Sequence, residues 1–128
     1  MLKLSPDLTF EQLDDALDLA QQHAIAGIVA TNTTATPEGG LSGAPLRARA
    51  TECIRHIRRQ SKLPIIGVGG IFTAADAYEK IRAGASLVEV WTGMVYEGPA
   101  IVRNINRGLL RLLERDGFGS MAEAVGTE

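Results

Sequence analysis

At 128 residues, with 45% apolar and 22% charged side chains, the chain has the size and balance of one globular domain with a single core, and neither disorder nor a fibre. A formal charge of -2 and arginines scattered apart from Arg58-Arg59 give no basic field, which points away from nucleic acid as a partner. The single Cys53 rules out an internal disulfide, and with no CxxC or His pair at ligand spacing no metal site is expected; it reads as an inert core thiol in a reducing compartment.

Four short apolar runs of strand length alternate with four longer stretches of helical period, the pattern of βα units with a parallel sheet. The first strand is Leu2–Leu4. Thr9 and Gln12 then form a capping box, and Leu13, Ala16, Leu17, Ala20 and Ala24 recur on one helical face. A second strand, Gly27–Thr31, precedes a helix from about Pro45 that turns Ala50, Cys53, Ile54 and Ile57 inward and most of its arginines outward. After a third strand, Pro64–Val68, Thr73 caps a helix through Ala77, Tyr78 and Ile81 to its stop at Gly84. The last strand, Ser86–Trp91, leads to a helix that opens on Pro99 and shows Ile101, Val102, Ile105, Leu109, Leu112 and Leu113 before Gly117. The longest apolar run, Ala24 to Ala30, is far short of the ~20 residues of a membrane span, and the first residues carry no secretory h-region. A cytoplasmic protein is expected.

The strands are apolar on successive residues, so both faces of the sheet need cover, as in a layered parallel sheet or a closed barrel. Four strands in an open sheet leave two bare edges, which recruit other strands. A (βα)8 barrel takes about 250 residues, and this chain has four units in 128. The expected fold is therefore α/β, half of a (βα)8 TIM barrel over residues 1–128, with a small doubly wound fold as the rival. Ile66, Val68, Val88 and Val90 are expected to point inward, toward an opposing half, leaving the isolated chain to pair with a complementary N-terminal half or with itself.

The unusual residues gather after the strands: Lys3 to Asp7, Thr31 to Thr34, Gly67 to Gly70, and Trp91 to Gly93. In a parallel βα array these lie at the one end where strand ends and helix N-termini converge and ligands bind. Gly69 and Gly70 let backbone amides come close to an anion, so they read as a phosphate turn or as a plain strand-to-helix turn. The dinucleotide fingerprint is not met, for want of a third glycine at the required spacing. Gly39-Gly40-Leu41-Ser42-Gly43 is a second glycine-rich stretch that either wraps a phosphate or turns a corner. Asn32 and Thr33 suit a planar heterocycle with carbonyl and ring N–H groups, or an Asx-type turn. Lys3 either meets an anionic ligand or snorkels at an exposed end. Asp14, Asp15 and Asp18 read as a solvated helix face, neither His23 nor His56 has a carboxylate at a telling distance, and no catalytic base can be assigned.

The runs Lys3-Leu4-Ser5-Pro6-Asp7-Leu8-Thr9, Thr31-Asn32-Thr33-Thr34, Gly39-Gly40-Leu41-Ser42-Gly43, Pro64-Ile65-Ile66-Gly67-Val68-Gly69-Gly70-Ile71, Gly84-Ala85-Ser86-Leu87-Val88 and Gly117-Phe118 toward Ala124-Val125-Gly126 together resemble dihydroorotate dehydrogenase, more narrowly its quinone-linked class 2. The resemblance covers essentially the whole chain but only the C-terminal half of the family's barrel. It implies an FMN enzyme of pyrimidine synthesis: a hydride passes from dihydroorotate to FMN, giving orotate, and the electrons go on to a quinone. Carried over motif by motif, Lys3 stands by the flavin N1/C2 carbonyl region and Thr31 contacts flavin through its backbone. Asn32 and Thr33 bind the orotate ring, while Ser42, Gly43, Gly69, Gly70, Trp91 and Thr92 surround the ribityl and phosphate. The tryptophan stands where tyrosine is usual, so its contact is expected from the backbone. The link Ala35-Thr36-Pro37-Glu38 is shorter than in most class 2 members. The family's serine base, its other orotate-binding asparagines and its quinone-entry helices belong to the half not matched, and full-length members sit peripherally on the cytoplasmic side of the bacterial inner membrane. A class 1 or dihydropyrimidine-type relative and a non-catalytic flavin- or phosphate-binding half-barrel are the competing readings.

Overall fold

The computed structural model describes residues 1–128. The elements run in the order β1 (Leu2–Leu4), α1 (Phe10–Gln22), β2 (Ile28–Ala30), β3 (Thr34–Thr36), β4 (Gly39–Leu41), a 3-10 turn (Ala44–Leu46), α2 (Arg47–Gln60), β5 (Ile65–Val68), α3 (Ala74–Ala83), β6 (Leu87–Glu89), α4 (Thr92–Glu97), α5 (Ala100–Asp116) and α6 (Met121–Ala124). β1, β2, β5 and β6 form one parallel sheet in that spatial order, with β1 and β6 at its bare edges, and β3 and β4 make a small antiparallel hairpin. The four βα units of a partial barrel are thus present. No helix is long and apolar enough to cross a membrane.

Capping follows the side chains available. Thr9 and Gln12 close a reciprocal capping box on α1, and Thr73 and Asp76 do the same on α3. The second helix starts two residues after Pro45 because a 3-10 turn occupies the proline segment. Besides the 3-10 turn, four elements go beyond the eight expected from periodicity: β3 and β4 of the hairpin, α4 and α6.

Strand register sorts the sheet into two faces. Leu4, Ala30, Gly67 and Val88 lie in one row, and a Cβ on Gly67 would meet Ala85, Ile54 and Lys80, so this row faces the helices. Below it, Leu2, Ile28 and Ile65 do the same. On this side Leu4, Leu13, Leu17, Ile28, Ile54, Ile57 and Ile65 make one buried cluster, with Cys53 inside it. Burial pushes the Cys53 thiol up, as expected of an unreactive core cysteine. A second cluster joins Ile71, Ala77, Tyr78 and Ile81 to Ile101, Ile105, Leu109 and Leu113.

The opposite face holds the alternate row, Lys3, Val29, Ile66 and Leu87. The expectation that Val88 and Val90 point inward is corrected here: both pack against the α3–α5 cluster, on the helix side. Ile66 and Val68 do point inward; the inward apolar residues are Val29, Ile66, Val68 and Leu87, with Leu87 64% exposed. Two helix-face assignments also change. Ala24 is exposed, because α1 stops at Gln22 and the chain turns through a positive φ at Ala24. Val102 is exposed, one position off the stripe set by Ile101, Ile105 and Leu109.

Candidate functional site

The β-strands end at a single concavity of about 290 Å³. All ten residues singled out from the sequence, Lys3, Thr31, Asn32, Thr33, Ser42, Gly43, Gly69, Gly70, Trp91 and Thr92, line it. Convergence of four separate loops on one volume is what a parallel βα array provides at its strand ends. Leu46, Val68, Ile71, Gly93 and Glu89 complete the wall.

Two glycine turns form one side. Gly70 has φ +70 and a Cβ there would lie 2.4 Å from the Arg47 Cβ and 2.7 Å from its Cα, so only glycine fits against the start of α2. Gly43, at φ +81, would drive a Cβ to 3.1 Å from the Thr92 methyl. The Thr92 hydroxyl in turn donates to the Ser42 hydroxyl at 2.9 Å, tying the β4 loop to the start of α4. The amides of Gly43, Gly69, Gly70 and Ile71 donate to no acceptor of the protein, although buried and part-buried amides are nearly always paired. They are the donor set of an anion nest.

Thr31 adds a second unspent group. It is almost fully buried, its amide donates to the Val68 carbonyl at 3.1 Å, and its hydroxyl has no partner, the one buried side-chain polar atom so left. The Thr31 amide is committed, while its hydroxyl and carbonyl receive no hydrogen bond from the protein at the cavity. The Asn32 amide is likewise held, by the Leu4 carbonyl at 2.8 Å, which locks the ends of β1 and β2 together and leaves the side chain at the cavity. Trp91 is 75% exposed at the rim.

Lys3 projects from the unfinished face of β1 and lies 3.8 Å from the Glu89 carboxylate of β6, across the whole width of the sheet. Glu89 was not visible from the sequence as a site residue, because a lone acid at the end of an apolar strand reads as a solvated terminus. Its signal would have been the in-row alternation of β6, which places Leu87 and Glu89 on the face away from the helices.

The hairpin and the histidines depart from expectation. Gly39 and Gly40 lie exposed in β4 and do not reach the cavity; only Ser42 and Gly43 of that stretch do. The hairpin is anchored instead by Asp7, whose carboxylate accepts from the Thr34 hydroxyl and from the Ala35 amide. The Thr34 hydrogen bond and that from Ala35 hold the Asp7 carboxyl below its usual range. His56 does have a carboxylate: its Nε2 is 2.7 Å from Asp14 Oδ1, and its ring stacks on Phe10. That pair sits between α1 and α2 and lines no part of the cavity.

A family model described as dihydroorotate dehydrogenase matches residues 1–113. The dihydroorotate dehydrogenase (quinone) of Natronomonas pharaonis is 52% identical, the alignment covering 100% of this chain and 40% of that protein. That of Anaeromyxobacter sp. strain Fw109-5 is also 52% identical, with 39% of its length covered. The crystal structure of ligand-free DHODH from Eimeria tenella superposes with a TM-score of 0.92 at 40% identity, over 98% of this chain and 38% of that one. The chain thus spans about 40% of the length of the curated relatives it matches. With the family model matched over residues 1–113, relatives 52% identical over the whole chain and a superposition covering 98% of it, the chain belongs to the dihydroorotate dehydrogenase family.

Proposed function

We propose that this chain supplies the FMN- and orotate-binding half of a quinone-linked dihydroorotate dehydrogenase, as one domain over residues 1–128. The observation that carries the reading is the set of unspent donors on one cavity: the amides of Gly43, Gly69, Gly70 and Ile71 and the buried Thr31 hydroxyl. That set suits a phosphate at one end and a polar ring at the other. When bound, FMN supplies the redox chemistry, accepting a hydride from dihydroorotate on the way to quinone.

The residues divide the work by chemistry. Gly43, Gly69 and Gly70 offer amides to the phosphate, and Ser42 and Thr92 hydroxyls to the ribityl chain. Lys3 presents an ammonium where negative charge would collect on a reduced flavin, and Glu89 beside it moderates that charge. Asn32 and Thr33 present an amide and a hydroxyl to the orotate ring. Thr31 closes the floor through its hydroxyl. Trp91 covers the rim. None of these is a base for the C–H proton of dihydroorotate, so the turnover-competent site needs a second half that brings one, together with the route for quinone.

The same need is felt by the sheet. Its inward row and its two bare edges suit a complementary half of a barrel. A second copy of this chain is the alternative, favoured by the exposed Leu87 beside the β6 edge, and it describes a non-catalytic flavin- or phosphate-binding half-barrel. Titration of FMN fluorescence separates binding from its absence. Weak quenching by the chain, lost in Gly70→Val, is expected; identical quenching by both proteins would sink the cofactor reading.

A further inference from the structure

A turn built on two positive-φ glycines is loose unless its neighbours hold it, and the sequence around Gly69-Gly70 supplies an unusual clamp. Downstream, Asp76 Oδ2 accepts from the amides of Phe72 and Thr73 at 3.1 and 2.8 Å, and from the Thr73 hydroxyl at 2.9 Å. The other oxygen of the same carboxylate, Oδ1, receives Arg47 Nη1 at 2.5 Å. Arg47 is also the residue whose backbone and Cβ wall in Gly70. One carboxylate, 6% exposed, therefore grips the chain after the turn with one oxygen and the wall of the turn with the other.

Beneath it the fully buried Lys80 donates to the Thr51 hydroxyl at 3.0 Å and to the Arg47 carbonyl at 3.4 Å. Glu79 takes a second guanidinium nitrogen of Arg47 at 2.7 Å. Capping α3 needs only Thr73 and Asp76. With Arg47 44% exposed, its ion pairs to Asp76 and Glu79 add little to stability, so holding the turn in place is the role left to them. There is also an electrostatic reason for the pair. A bare Asp76 carboxylate six residues beyond Gly70 would repel a phosphate dianion, and the Arg47 guanidinium, which Glu79 shares, offsets that repulsion.

Resting on the FMN reading above, we propose that Arg47, held by Asp76, is a positioning residue for the flavin phosphate: it fixes the Gly70 and Ile71 amides toward the cavity and offsets the buried Asp76 carboxylate behind them. The flavin ring itself is untouched by this pair. Arg47 therefore sets the preference for a phosphorylated over an unphosphorylated flavin, with little influence on the ring.

The test compares FMN with riboflavin on the 128-residue chain by fluorescence titration, with Arg47→Met, Arg47→Lys and, as a control, Asp116→Asn. In Arg47→Met the preference for FMN over riboflavin is expected to fall about tenfold, as for loss of a charge-assisted contact, while Arg47→Lys keeps most of it and Asp116→Asn all of it. Amide hydrogen exchange without any flavin supplies the second readout: Phe72 and Thr73, whose amides the Arg47-held Asp76 carboxylate binds, should exchange faster in Arg47→Met and not in Asp116→Asn. A folded Arg47→Met protein with an unchanged preference, or with unchanged exchange at those two amides, overturns the positioning role and leaves the FMN reading standing. A wild-type chain that takes FMN and riboflavin equally, or neither, overturns the FMN reading and this inference with it.

Discussion

The two faces of the parallel sheet are built to different degrees of completion. On the helix side, Ile28, Ile65 and Ala30 are fully buried under α1 and α2. On the other side, one residue along each strand, Lys3, Val29, Ile66 and Leu87 stand partly or largely open. Adjacent residues of one strand thus report on different halves of a core, since alternate side chains point to opposite faces. The helix side is closed by this chain's own sequence. The other side carries the cavity and an open apolar row, and the two share that face because the ligands of a parallel βα array sit over its strand ends.

The sharpest way to break this contrast is to compare neighbours. Ile65→Ala should cost ~2–5 kcal/mol in denaturant unfolding, the range for a fully buried aliphatic, whereas Ile66→Ala on the isolated chain should cost less than ~1 kcal/mol. Equal costs would mean that the inward row is already covered.

Next in size is the pH dependence of the sealed side. Burial, and then Arg47, push the Lys80 ammonium from the ordinary 10.5 down to about 8, against the pull of Glu79, Asp76 and Cys53. The folded state releases this proton before the unfolded state does. Stability therefore rises with pH between about 8 and 10.5, by up to ~3 kcal/mol from this group, and is lowest below that window. The raised Cys53 thiol acts the opposite way at high pH, since the folded state keeps its proton longer. The difference between wild type and Lys80→Met, followed by urea unfolding from pH 7 to 10, isolates the lysine; parallel curves would show that the ammonium is not sealed in.

On the open side, Leu87→Asp should abolish self-association in light scattering while changing the unfolding free energy by less than ~0.5 kcal/mol, as for exposed positions generally. The smallest effect concerns the cavity. Lys3 and Glu89 are both over two-fifths exposed, so their pair is worth no more than about 1 kcal/mol. Glu89→Gln should accordingly tighten FMN by at most about fivefold, by leaving Lys3 to the ligand; weaker binding would reverse the role given to Glu89.

What the sequence disclosed follows the same division. Strand and helix order, the Thr9–Gln12 capping box, the Thr73 cap and the faces of α2 and α3 were legible because local period and caps dictate them. The ten cavity residues were legible because a parallel array sends every strand end to one place. The β3–β4 hairpin was not: Thr34 to Leu41 has no apolar alternation, and its anchor, Asp7, lies 27 residues from Thr34. α4 was hidden because Gly93-Met94-Val95-Tyr96 continues the apolar character of the preceding strand. The Arg47–Asp76 and His56–Asp14 pairs join residues of different helices and leave no trace in periodicity. Val88 and Val90 were assigned to the wrong face because an unbroken apolar strand carries no alternation to read.

We propose that this chain holds the flavin side of a barrel whose other side a complementary half supplies. Dihydroorotate-dependent dye reduction, measured with FMN present, tests it directly when light scattering follows the same samples. Expected are no turnover by the chain alone and turnover on adding the part of the Natronomonas pharaonis relative that this chain does not match, with a 1:1 complex in scattering. A well-folded monomer that oxidises dihydroorotate unaided would contradict it.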